Sequence, residues 1–165
     1  MEKIESVPAM KAWAAEQQRA GRRVALVPTS GALHAGHAAL IAAAREQADV
    51  VVVCVFVNPL AFGPSENVGR YPRMPAQDLL FCQERKVDVV FLPSVEEMFP
   101  RGFSTFVTEE AVSKPLCGVS RPTHFRGVTT VMAKLISIVR PARLVMGQRD
   151  AQQVAVVRKM IADLL

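Results

Sequence analysis

The fold of this chain is decided by residues 24–48, which read VALVPTSGALHAGHAALIAAAREQA. The stretch begins with an apolar run at 24–27, turns at Gly31 and Gly36, and ends as an alanine-rich segment typical of a helix. A strand, a glycine turn and a helix N-terminus in this order favour phosphate binding, because free backbone N–H groups and the helix dipole point to one place. His34 and His37 fall on one side of the first helical turn. There they can donate hydrogen bonds to the oxygens of a nucleoside triphosphate.

The rest of the chain alternates between helical and strand patterns. Helices are predicted at residues 7–18, with Ser6 as the N-cap, and at 36–48, 75–86, 123–139 and 150–165, with a short turn of helix at 96–99. Strands are predicted at 24–27, 49–57, 87–92, 104–108 and 143–146. Residues 58–75 read as a long functional loop within the same domain. The alternation is typical of an α/β fold with a doubly wound parallel sheet, built as one domain over residues 1–165.

Three loops of this fold carry polar or glycine-rich sequences and follow predicted strands. They are the histidine loop, residues 58–63 and residues 147–150. Each alone is compatible with an ordinary turn or helix start. In a doubly wound sheet, ligands bind beyond the carboxyl ends of the strands, near the reversal of strand order. We therefore expect the three loops to meet at one edge and form a single site.

The composition indicates which partners the chain takes. It has 165 residues, half of them apolar, and a net charge of +5. The basic residues are scattered, so the charge suits anionic small molecules and does not indicate a nucleic acid. No apolar run is long enough for a membrane span, and the first residues do not resemble a secretory signal. Cys54, Cys82 and Cys117 lack zinc-site spacing and read as reduced core thiols of a cytoplasmic protein.

Several blocks together resemble one enzyme family. The run HAGH at 34–37 resembles the HxGH element of the nucleotidyltransferase superfamily, which includes the class I aminoacyl-tRNA synthetases. Further blocks are FVNPLAFGP at 56–64, RYPR at 70–73, LCGVSRPTHFRGV at 116–128 and GQRDAQQ at 147–153. In this order, over nearly the whole chain, they resemble the pantothenate synthetase (pantoate–β-alanine ligase) family. The resemblance implies a Rossmann-like domain of the HIGH type.

The resemblance also implies a reaction. Pantoate attacks the α-phosphate of ATP to give pantoyl adenylate and pyrophosphate, and the amine of β-alanine then displaces AMP. The expected ligands are ATP, Mg²⁺ held mainly by phosphate oxygens, pantoate and β-alanine, in a homodimer without nucleic acid or membrane partners. We also expect the chain to lack the smaller C-terminal domain of the family, and so to hold ATP loosely and have weak activity.

Site residues are carried over from the matching blocks. The resemblance assigns ATP binding to Ser30, Gly31, Ala32, Leu33, His34, Ala35, Gly36, His37, Gly147, Gln148, Arg149 and Asp150. His37, as proton donor, His34 and Arg149 are the expected catalytic residues. The residues expected to bind the substrate acid, or to support its site, are Ala61, Gln153, Asn58, Arg121, His124 and Tyr71. No protein ligand to a metal is expected.

Four positions depart from the family pattern. Ser30 stands in place of methionine, Ala61 of glutamine, Arg149 of lysine, and Ala35 of an acidic residue. The acid-binding side is therefore less preserved than the nucleotide side. Two alternatives to an active ligase stay open: a non-catalytic nucleotide-binding module, and another adenylyltransferase such as a pantetheine-phosphate adenylyltransferase.

Overall fold

A computed structural model describes residues 1–63 and 66–164 of the chain. Within these residues it contains five strands and seven helices. The strands are β1 (Glu2–Ile4), β2 (Val24–Thr29), β3 (Val50–Val55), β4 (Val89–Phe91) and β5 (Arg143–Leu144). The helices are α1 (Val7–Arg19), α2 (Ala35–Gln47), α3 (Pro75–Glu84), α4 (Val95–Met98), α5 (Cys117–Ser120), α6 (His124–Val139) and α7 (Ala151–Leu164). Short 3-10 turns lie at Pro59–Ala61, Val68–Arg70 and Gln148–Asp150.

The five strands form one parallel sheet in the order β1-β4-β3-β2-β5. From β2 the chain moves outward through β3 to β4, and it then returns to place β5 on the other side of β2. The strand order therefore reverses between β2 and β5. This confirms the doubly wound parallel sheet, and it identifies the gap beyond these two strands as the switch point where ligands bind in such folds.

Both faces of the sheet are covered by helices. One face presents alternate residues such as Leu26 and Val52 to α1, α6 and α7. The other face presents Val27 and Val53 to α2 and α3. Because β2 and β3 are buried on both sides, their valine-rich runs lack the polar alternation of a half-exposed strand.

The predicted helices and four of the predicted strands are found, with shifted ends. The Ser6 hydroxyl accepts from the Ala9 N–H, as expected of the N-cap of α1. Pro64, which ends the FVNPLAFGP block, and Leu165, which ends the last predicted helix, lie outside the described residues.

Two strand assignments were wrong. β1 was not predicted, because only Ile4 of its three residues is buried and its partner, β4, is distant in the sequence. Residues 104–108 were predicted as a strand but pair with none. There the backbone of Val107 bonds to side chains of α6, receiving from Thr129 Oγ1 at 2.6 Å and donating to Thr130 Oγ1 at 3.0 Å. Hydroxyls of a helix take the place of a neighbouring strand.

The cysteines divide into two kinds. Cys54 and Cys82 are buried, as expected, and burial together with the Asp78 charge raises the pKa of Cys82 to about 12. The prediction of a third core thiol was wrong, since Cys117 is exposed at the start of α5. Among the described residues, no helix is both long and apolar enough to cross a membrane.

Candidate active site

The histidine loop leaves β2 by a left-handed turn. Gly31 has φ of +82° and Ala32 has φ of +52°, so two successive residues occupy the region that favours glycine. The Thr29 hydroxyl fixes the start of the turn, donating to Cys54 O at 2.9 Å and accepting from the Gly31 N–H at 3.3 Å. The chain is thereby redirected from the sheet edge into α2, whose N-terminus faces the switch point.

The two imidazoles cap α2 and hold each other in place. His34 is the N-cap, and its Nδ1 accepts from the Gly36 N–H at 3.0 Å. The Nδ1 of His37 accepts in turn from the His34 N–H at 3.2 Å, and the ring centroids are 4.2 Å apart. Because each Nδ1 is an acceptor, the neutral rings carry their proton on Nε2. Both histidines therefore keep an Nε2–H donor that the helix cap does not use.

Gly36 is required by the close approach of the His34 ring. A Cβ at this position would lie 2.8 Å from Cε1 of His34 and 3.1 Å from its Nδ1. A larger residue would displace the His34 ring from its capping position. The glycine of the HAGH run thus leaves room for the capping ring of His34.

His37 is held in its neutral form. Burial lowers the pKa of His37, and the neighbouring His34 and Arg149 lower it further, while Asp78 opposes them. At neutral pH the ring is consequently a hydrogen-bond donor through Nε2 without a positive charge.

A cleft of about 610 Å³ opens at the switch point between β2 and β5. One wall is the histidine loop, and the other is formed by residues 146–150 after β5, with Tyr71 and Gln153 also lining it. The volume falls within the range of small-molecule sites. Two of the three predicted loops thus meet at this cleft.

A smaller chamber of about 120 Å³ lies beside the cleft. Ser30, Met146 and Gln153 line both cavities, so the two adjoin. The chamber wall also includes Asn58 and Ala61 from the third predicted loop, and apolar residues of α6. The expected convergence of three loops at one edge of the sheet is therefore confirmed, with the third loop lining the chamber.

Comparison with known proteins bears on the same region. The family model for pantoate–β-alanine ligase matches residues 2–165. The chain belongs to the pantoate–β-alanine ligase family. Pantothenate synthetases from Heliobacterium modesticaldum and Geobacter sulfurreducens are 52% and 50% identical to it, over 99% and 98% of the chain. The chain spans 58% and 57% of the length of these two relatives.

Solved structures of the ligase family share the fold. The crystal structure of pantothenate synthetase from Thermus thermophilus has a TM-score of 0.93 at 44% identity, covering 99% of this chain and 58% of that one. The pantoate–β-alanine ligase from Francisella tularensis has a TM-score of 0.92 at 34% identity, covering 99% and 62%. That structure is of a complex with β,γ-ATP and β-alanine.

Most residues that the family resemblance assigns to ATP line the cleft, and two do not. Leu33 packs into the core on the α2 side of the sheet, and Ala35 is exposed at the first position of α2. Arg149 lines the cleft with a side chain that is 85% exposed, 3.8 Å from the carboxylate of Asp150. The guanidinium is thus free to move toward an anionic ligand.

Four of the six residues that the family resemblance assigns to the substrate acid, or to the support of its site, line a cavity. Tyr71 and Gln153 line the cleft, and Ala61 and Asn58 line the chamber. The Asn58 amide is already engaged, donating to Gly127 O at 2.9 Å and accepting from the Leu60 N–H at 3.1 Å.

Arg121 and His124 lie outside both cavities. Arg121 donates to Ala61 O at 3.1 Å and to Glu66 at 2.8 Å, and His124 Nδ1 lies 2.8 Å from the same carbonyl. In this structure they position the chamber wall from behind.

Sequence reasoning missed two residues that shape the site. Asp78 is buried, with an exposure of 3%, and accepts from the backbone N–H groups of Ala32 and Leu33. Nothing in the local sequence of α3 distinguishes it from an exposed helical aspartate. Gly127 lets α6 approach the Pro59–Ala61 turn, since a Cβ there would lie 2.2 Å from Leu60 O. Its place inside a predicted helix was the available signal, because a glycine there often marks close packing.

Proposed function

We propose that this chain supplies the ATP-binding and acid-activating site of a pantoate–β-alanine ligase. The observation that carries the proposal is the pairing of the two cavities. A cleft with two imidazole donors at a helix N-terminus adjoins a chamber through Ser30, Met146 and Gln153. A nucleotide in the first and a small carboxylic acid in the second would meet at these shared residues.

The first half-reaction joins the acid to the nucleotide. A carboxylate oxygen of pantoate attacks the α-phosphorus of ATP, and the bond to the bridging oxygen of pyrophosphate breaks. The Nε2–H groups of His34 and His37 and the N-terminus of α2 are placed to stabilise the negative charge on the phosphates. Arg149 adds a mobile positive charge at the opposite wall.

The second half-reaction releases the product. The amine of β-alanine attacks the acyl carbon of pantoyl adenylate, forming an amide bond and releasing AMP. We assign pantoate binding to the chamber and its shared residue Gln153, with Tyr71 near the nucleotide side. Asn58, Arg121 and His124 are assigned to holding the chamber wall, because their side chains bond to the backbone of the Pro59–Ala61 turn or of α6.

Magnesium fits this site as a companion of the nucleotide. Among the described residues, Asp150 is the one carboxylate side chain that lines the cleft, and no group of three or more metal-binding side chains is found. We therefore expect phosphate oxygens to provide most of the Mg²⁺ ligands. The bound ion would neutralise phosphate charge. The homodimer implied by the family resemblance is a further prediction, which sedimentation analysis will check.

Pantoate-dependent exchange of labelled pyrophosphate into ATP, with Mg²⁺ present, tests the proposal. Exchange that requires pantoate supports adenylation by this chain. If exchange is absent while calorimetry still detects ATP binding, the result would favour the non-catalytic nucleotide-binding module. The alanine at position 61, which has no side-chain hydrogen-bond donor, also favours that alternative. Transfer of AMP to phosphopantetheine in place of pantoate would instead identify the other adenylyltransferase.

A further inference from the structure

The turn at Gly31 is a thin wall with open space on both sides. Ser30 and Gly31 line the cleft in front, and they also line a second cavity of about 350 Å³ behind. Gly31 is buried, and a Cβ on it would lie 3.2 Å from Val55 Cγ1, so packing holds one side of the turn. The two backbone N–H groups that follow Gly31 are held by polar contacts.

Asp78 supplies those contacts from the rear cavity. The carboxylate of this buried residue accepts from the Leu33 N–H through Oδ1 at 2.8 Å and from the Ala32 N–H through Oδ2 at 3.1 Å. The fit is tight, because a Cβ on Gly31 would lie 2.9 Å from Oδ2. One side chain of α3 thus binds both residues that precede His34.

We propose that Asp78 is the positioning residue of the histidine loop, holding the turn from behind so that His34 and His37 face the cleft. This role rests on the proposed function, and it concerns a residue that lines the rear cavity and neither the cleft nor the chamber. Two charge-assisted hydrogen bonds to consecutive N–H groups leave the turn little freedom to slide into the rear cavity. Gly31 is required for the same arrangement, because a Cβ at this position would meet the Asp78 carboxylate.

The carboxylate also contributes to the electrostatic environment of His37. The charged or titratable groups that act on His37 are His34 and Arg149, which lower its pKa after burial does, and Asp78, which raises it. Removing the negative charge of Asp78 should therefore move the His37 pKa further down. A role confined to packing α3 would leave that pKa unchanged in the folded protein.

The test compares Asp78→Asn with Asp88→Asn. Asp88 is a matched control, because its carboxylate also accepts from a backbone N–H, that of Val51, and it pairs with Arg45 at the other end of the strands. NMR titration of the His37 ring should show a lower pKa, with altered Nδ1 and Nε2 shifts, in Asp78→Asn and not in Asp88→Asn. A folded Asp78→Asn protein with the wild-type His37 titration would overturn the proposal.

A second measurement needs no variant and serves if Asp78→Asn does not fold. Hydrogen exchange of the Ala32 and Leu33 amides in the wild-type chain should be slow, since both are bonded to Asp78. Fast exchange of both amides in the folded chain would contradict the proposed role.

Activity provides the third readout. Pyrophosphate exchange should lose about 10²-fold in kcat in Asp78→Asn, with a smaller change in KM, as expected for displaced groups. An unchanged kcat in this variant would contradict the positioning role. If the wild-type chain shows no exchange, the proposed function fails, while the His37 titration still decides the role of Asp78.

Discussion

The cleft that carries the histidines and the chamber lined by Ala61 share Pro28, Thr29, Ser30, Met146 and Gln153, yet the two cavities use their polar groups differently. In the cleft, the backbone N–H groups of His34 and Gly36 bind one nitrogen of each imidazole, and the helix cap does not use the other nitrogen. In the chamber, both ends of the Asn58 amide are bonded to the protein. The carbonyl of Ala61 faces Arg121 and His124.

The comparison shows that the walls of the two cavities at this edge of the sheet are built differently. The cleft wall is a helix N-terminus, whose geometry presents donors to an anion. One part of the chamber wall is the Pro59–Ala61 3-10 turn, and hydrogen bonds of Asn58 and His124 that join this turn to α6 occupy their polar groups. Under the proposed function, recognition of the acid would therefore depend on the residues that the chamber shares with the cleft.

The largest expected effect is a loss of pyrophosphate exchange on the cleft side. His37→Ala should reduce pyrophosphate exchange by about 10²–10³-fold, because it removes one preorganised donor to the developing charge. His37→Asn keeps an acceptor for the His34 N–H and should lose about as much, whereas His37→Gln can place an amide N–H near the Nε2 position and should retain more. Unchanged exchange by His37→Ala, with circular dichroism showing an intact fold, would remove His37 from the mechanism.

The second largest expected effect is a loss of folding stability on the chamber side. Gly127→Ala should destabilise the fold by about 3 kcal/mol, the upper range for an overpacked site, because its Cβ meets the backbone of Leu60 and Ala61. Gly147→Ala is the matched control on the cleft side, where the nearest atom to a Cβ is Leu40 Cδ1 at 3.7 Å. It should change stability by less than about 0.5 kcal/mol. Urea unfolding measures both, and equal values would refute the close approach of α6.

A smaller effect sharpens the difference between the two sides. Ala61→Gln adds an amide to the chamber, and the KM for pantoate should fall about fivefold if that amide gains one hydrogen bond of about 1 kcal/mol. Ala61→Met adds similar volume without the amide and serves as the control. An equal response of both variants would indicate that filling the chamber, not hydrogen bonding, controls acid binding.

The smallest effect concerns pH. The pKa of His37 is below its ordinary value of 6.5 in the folded chain, so the unfolded chain takes up this proton first. Stability should therefore decline as pH falls below 6.5 toward the folded pKa, with no related loss above neutral pH. The pKa of Glu66 is lowered by hydrogen bonds from the Gly63 N–H and Arg121, so its effect on stability occurs at a lower pH than that of His37. In His37→Gln, the decline in unfolding free energy between pH 7 and about pH 5.5 should be shallower; an identical decline would argue against the lowered pKa.

Local sequence signals were sufficient to locate the histidine loop of the cleft. The apolar run of β2, the turn glycines and the histidine spacing are all contained within one short stretch, so their geometry follows from strand, turn and helix rules. The chamber side depends more on distant residues. The resemblance implied that Arg121 and His124 bind the substrate acid or support its site, and in the structure both side chains contact the Ala61 carbonyl. Their surroundings depend on how α6 packs on a turn some sixty residues earlier.

The sequence by itself determined the alternation of helices and strands, from which the parallel sheet was inferred, and the placement of His34 and His37 at the first turn of α2, because these depend on neighbouring residues and their periodicity. Only the tertiary structure decided the pairing of β1 with β4, the burial of Asp78 behind the histidine loop and the contact of Gly127 with Leu60. These features join residues far apart in the chain. Their energies come from burial and from hydrogen bonds that exist only once the sheet has brought the distant segments together.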